Sequence, residues 1–141
     1  MKRVRQALWL CKQRPGGPFF VDVYKGRGTQ ESWEKITLAS TIGGMVINTA
    51  GVTLAHGMEH PASGLKDIVH GKGLAALTPV IIEASYKEDH FKFAKIARIF
   101  GGITADDLAP KIRTLLKNLD LDVKHRGQAA QALRANAQGV D

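Results

Sequence analysis

From Ile36 to Ala55 the chain reads ITLASTIGGMVINTAGVTLA, 20 consecutive residues without a charge. Such a run has to leave water, either inside a protein or across a bilayer, because 20 residues of helix span about 30 Å. Four threonines, a serine and an asparagine interrupt it, and it leads directly into His-Gly-Met-Glu-His. Burial within a helical protein is therefore the expectation, and a membrane span is not.

The flanking pattern supports a helix. Thr29 or Ser32 can cap it, Glu31 and Glu34 suit its first turn, and Ile36, Ala39, Ile42, Met45 and Val46 recur at spacings of three to four. One long helix from about residue 31 to about residue 60 is expected, bent near Gly43 and Gly44. Proline lacks the amide a continuing helix needs, so Pro61 and Gly64 are expected to make HPASGLKD a loop. A second helix should open at His70 or Gly71. A third should run through DHFKFAKIARIF to Gly101 and Gly102, and a capping box of Thr104 and Asp107 should start LAPKIRTLLKNL. Only FFVDVY alternates like a strand, so the fold class is all-α.

Composition narrows the function. The net charge of +7 invites a nucleic-acid reading until the charges are mapped: residues 1–28 hold seven basic side chains and one acid, and the rest hold 13 and 12. Phosphate recognition needs basic residues spread over a folded face, so no nucleic-acid partner is expected. Cys11 is the single cysteine, which rules out an intrachain disulfide and fits a reducing cytoplasm. The apolar run ALWLC near the start is too short for an export signal.

Three of the five histidines fall within LAHGMEHPASGLKDIVHG. His56 and His60 are four apart and share a helical face, while a turn and a second helix can bring His70 back beside His56. Neutral imidazoles suit zinc, iron, copper or nickel, and spacing alone does not choose among them. Polar helix ends hydrogen-bonded to backbone would give the same pattern. Glu59, Lys66, Asp67 and Lys72 are most simply solvated charges or caps, although Asp67 could accept a hydrogen bond from His70.

The stretch from LASTIGGMV to VIIEAS resembles the metal-binding helical region of the iron-containing alcohol dehydrogenases, over roughly Glu31 to Val123. The resemblance rests on a small-residue helix followed by His56, His60, Pro61, Gly64, Asp67, His70 and Gly71 in the family's order. Ala62 and Ser63 stand where Leu-Gly is common, Lys66 where an aromatic is common, and Val69 where proline is frequent. The resemblance implies a helical bundle in which His56 and His70 are metal ligands, with Fe2+ the first choice and Zn2+ or another divalent ion the alternative. His60 is implied as the catalytic histidine beside substrate and nicotinamide.

The activity implied is NAD(P)-dependent oxidation and reduction of a small alcohol or aldehyde. In the family an aspartate, another histidine and a Gly-rich nucleotide-binding α/β domain precede this region, and Met1–Gly28 matches none of them. The expected organisation is therefore an unmatched basic leader (1–28), a helical metal-binding fragment (29–123) and an unmatched tail (124–141), inactive as an isolated chain. A different class also fits: a non-catalytic helical module that self-associates or pairs with a separate α/β domain.

Overall fold

The structure is a computed structural model that describes residues 19–121. Six α-helices follow one another: α1 (Phe19–Tyr24), α2 (Gln30–Ala50), α3 (Leu54–Lys66), α4 (His70–Ser85), α5 (His90–Ile99) and α6 (Leu108–Asn118), with a 3-10 turn at Tyr86–Glu88. Among the described residues no strand forms, and FFVDVY, the one strand-like segment, is α1. Its period-two pattern gives way because Phe19 is buried on the start of α2, where Lys35 Nζ lies 4.5 Å from its ring centre. Residues 1–18 of the expected leader (1–28), with Cys11, and the whole of the expected tail (124–141), with His125, lie outside the described residues.

Thr29 caps α2, its hydroxyl oxygen accepting from the Ser32 amide at 3.2 Å. The helix then runs through Gly43 and Gly44 without ending there and stops at Gly51, whose φ of 72° is one that residues with a Cβ rarely adopt. Val52 and the extended Thr53 complete the break, and α3 leaves at 99° to α2. The expected single helix from 31 to 60 is thus two helices, because the break falls at the glycine with positive φ and not at the Gly-Gly pair, which keeps helical geometry. Among the described residues no single helix is long and apolar enough to cross a membrane.

Pro61 is the second departure: it sits inside α3, which continues to Lys66. Three features hold the helix through the missing amide. Residue i−4, whose carbonyl the proline ring crowds, is the glycine Gly57; Ala62 is buried; and Ser63 reaches back to Glu59 across that turn. The helix ends at Asp67, left-handed at φ 52°, whose amide donates to the Ser63 carbonyl at 3.0 Å.

Helix α4 is the centre of the bundle, with α3 and α6 packed on it and α5 against α6. Ala76, Leu77 and Pro79 of α4, Ala97 of α5, and Leu108, Ala109 and Leu116 of α6 form the core. The Arg113 guanidinium of α6 donates to both Glu83 oxygens of α4 at 2.7 Å. Ahead of α6 the expected capping pair is present in half: the Asp107 carboxylate accepts from the Thr104 and Ile103 amides at 2.9 and 2.7 Å. Those two bonds hold its carboxyl below the usual range.

Helix α2 is different from the rest. Ser32 alone is fully buried, and Leu38, Met45 and Ile47 are about half exposed, at 48%, 50% and 50%. Its threonines turn inward locally, Thr41 donating to the Thr37 carbonyl at 2.9 Å and Thr49 to the Met45 carbonyl at 2.7 Å.

Candidate metal centre

The break at Gly51 and the turn at Asp67 set where three imidazoles fall. His56 and His60 lie one turn apart on α3, and His70 is the first residue of α4. The structure brings the three together. Ring centres are 5.8 Å apart for His56 and His60, 5.4 Å for His56 and His70, and 5.5 Å for His60 and His70. Imidazoles sharing one tetrahedral ion through bonds of about 2.0–2.1 Å hold their centres about 5 Å apart, slightly closer than here. Among the described residues His56 Nδ1 is buried with no hydrogen-bond partner, and as the unprotonated nitrogen of the ring it would offer its lone pair to an ion. The donor set therefore fits a divalent ion of the imidazole-binding class.

Glu59 is the residue that sequence reasoning missed. Read as a solvated charge, it is fully buried at 0% exposure, and its carboxylate meets Ser63 Oγ on one oxygen and His70 Nδ1 on the other. Burial alone would push this carboxyl up, but the bonds from Ser63 and His70 and the nearby charges of His70 and His60 outweigh it and leave it below its ordinary value. One donor atom from each of Glu59, His60 and His70 lies within 4.8 Å of the others, so these three could also hold an ion. The signal was in the spacing: Ala55, Glu59 and Ala62, at i, i+4 and i+7, are the buried stripe of α3.

The bonding explains why the charge is tolerated. An ionised carboxylate leaves water only when partnered, and both oxygens of Glu59 are. Room comes from α4: a Cβ on Gly73 would lie 2.7 Å from Glu59 Cγ and 2.8 Å from its Oε1. Asp67, read as a solvated charge or cap with His70 as its alternative partner, is the exposed C-cap of α3, and Glu59 takes the place beside His70. Lys66 and Lys72 are exposed, as read from the sequence. His90 lies apart, edge-on to Tyr86 at 5.4 Å.

The family model for the Fe-containing alcohol dehydrogenase family, C-terminal, matches residues 21–132. Lactaldehyde reductase of Escherichia coli (strain K12) is 30% identical over 74 residues, which are 52% of this chain and 19% of that protein. Probable alcohol dehydrogenase EutG of the same strain is 32% identical over 74 residues, with the same shares. Long-chain primary alcohol dehydrogenase AdhA of Thermoanaerobacter ethanolicus is 39% identical over 49 residues, 34% of this chain and 12% of that protein. The chain thus spans about a fifth or less of the curated relatives it matches, and no solved structure matches it. With the C-terminal model covering most of the chain, this protein belongs to the iron-containing alcohol dehydrogenase family.

Proposed function

We propose that this chain forms the metal-facing helical part of an NAD(P)-dependent alcohol or aldehyde oxidoreductase, with His56 and His70 as ligands of a divalent ion, Fe2+ before Zn2+. The observation that carries the reading is the triangle of His56, His60 and His70, with an unpartnered buried nitrogen on His56. A bound divalent ion would supply Lewis acidity toward the substrate oxygen. His60, exposed beside both proposed ligands, accepts the hydroxyl proton at a ring nitrogen when an alcohol is oxidised and returns it when an aldehyde is reduced. A nicotinamide held by the complete enzyme would supply the acceptor for the carbon-bound hydrogen and its electron pair, which would balance charge and atoms.

Two imidazoles do not complete the three or four protein ligands a catalytic ion takes, and among the described residues no strand forms to build a nucleotide cradle. The reading therefore calls for further ligands and a nicotinamide site supplied by a separate α/β unit. We place the reaction in the cytoplasm, as the single cysteine suggests. The exposed apolar side chains of α2 favour a second reading, a non-catalytic helical module that pairs with itself or with such a unit.

Titration of the purified chain with Co2+, followed by visible absorption, tests the ligand assignment. Binding that His56→Ala and His70→Ala each abolish is expected, and binding untouched by both refutes it. The chain alone with ferrous iron, nicotinamide cofactor and primary alcohols should show no hydride transfer; turnover lost in His60→Ala would overturn the dependence on an α/β unit.

A further inference from the structure

We infer that Glu59 is a positioning residue, which holds His70 in its Nδ1–H tautomer and so leaves Nε2 as that ring's only lone pair for an ion. The inference deepens the metal reading above and rests on it for its consequence, though not for its geometry. His70 has two ring nitrogens, and the one that carries the proton is decided by what the other atoms around it accept or donate. Ionised Glu59 only accepts, and His70 Nδ1 is the nitrogen it meets, so the proton belongs on Nδ1. A ligand imidazole whose second nitrogen donates to a carboxylate is fixed in orientation and made more basic.

Two observations set Glu59 behind the imidazoles and not among the ligands. It is wholly enclosed, whereas the His70 side chain is 51% exposed and His60 is exposed too, so an ion arriving from solvent meets the rings first. Both carboxylate oxygens are already in contact, one with His70 and one with Ser63, whose single hydroxyl proton is shared between Glu59 and the Ile68 carbonyl at 2.8 Å. The same serine thus ties the carboxylate to the connection that leads into His70. Gly73 completes the seat, since any side chain there would occupy the space of the Glu59 chain.

Long-range proton–nitrogen correlation NMR on the histidine-labelled, metal-free chain, at a pH where imidazoles are neutral, reads the tautomer directly. His70 should be Nδ1–H in the wild type. It should lose that preference in Glu59→Leu, which fills the same space without accepting a proton. Co2+ affinity should fall about 10- to 100-fold in Glu59→Leu.

An Nε2–H wild-type His70, or a Glu59→Leu chain with unchanged tautomer and unchanged Co2+ affinity, overturns the inference. So does loss of the Nδ1 proton on Zn2+ binding, which would make Nδ1 and not Nε2 the ligand atom of His70. A wild-type chain that binds no Co2+ refutes the metal reading instead, and the tautomer shift between wild type and Glu59→Leu still decides the role of Glu59.

Discussion

Gly73→Ala separates two effects of opposite sign. In an exposed helix interior a glycine-to-alanine change stabilises by up to about 1 kcal/mol, because alanine loses less backbone freedom on folding. At Gly73 the new methyl would sit 2.7, 2.8 and 3.2 Å from Cγ, Oε1 and Cδ of Glu59. That side chain is enclosed and held at both oxygens, so it yields only by leaving His70 and Ser63. Overpacking of this kind costs about 1–3 kcal/mol, and each buried group left unpaired about 1–3 more. A net loss of about 2 kcal/mol is expected for Gly73→Ala. Gly43→Ala, with nothing within 4 Å of the new Cβ, should gain about 0.5–1 kcal/mol. Every atom that clashes lies beyond the Glu59 Cβ, so in a Glu59→Ala background Gly73→Ala should become neutral or stabilising. Urea unfolding followed by far-UV circular dichroism measures all four corners of this cycle. Additivity within about 0.5 kcal/mol, or a Gly73→Ala chain as stable as wild type, would refute the argument.

Removing the Glu83–Arg113 pair should cost only about 0.2–1 kcal/mol, since both partners are partly solvated; the loss, read by thermal unfolding of Arg113→Ala, should shrink in molar salt. Asp107 has a folded-state pKa below its unfolded value, so its contribution is present above the ordinary aspartate value of about 3.9 and is lost as pH falls through the lower folded one. The Tm gap between wild type and Asp107→Asn should therefore be full at neutral pH and close in acid; a gap that widens in acid would contradict the sign. The half-exposed Leu38, Met45 and Ile47 should drive self-association, and sedimentation coefficients should rise with concentration in the wild type and less so in Ile47→Lys.

Much of the bundle was legible because local signals and packing agree. The Thr29 cap and the stop near Gly101 are each marked by a residue whose chemistry acts within one turn. The departures came where distant groups decide. Pro61 reads as a helix end until Ser63 and Glu59 bridge its turn, and Gly43–Gly44 reads as a bend although the conformation only glycine adopts easily occurs at Gly51. In the candidate site, the three histidines could be read from their spacing. Glu59 is passed over although its spacing from Ala55 and Ala62 marks it as buried, because its charge argues for solvent and its partners lie four and eleven residues away, the farther one on another helix.

The threonines of α2 have an effect opposite to the one their composition suggests. Thr41 and Thr49 each commit their only proton to a carbonyl of their own helix, so neither hydroxyl needs a donor-seeking neighbour. What remains to be presented outward is largely methyl and methylene. At these two positions the surface can pass from solvent to a dry protein contact without stranding a hydrogen-bond donor, whereas the exposed Thr37, Ser40 and Asn48 keep the rest of the helix polar. Hydroxyl counts along such a run therefore overstate its affinity for water, and substituting valine for Thr41 or Thr49 would change the helix surface far less than a hydropathy scale implies.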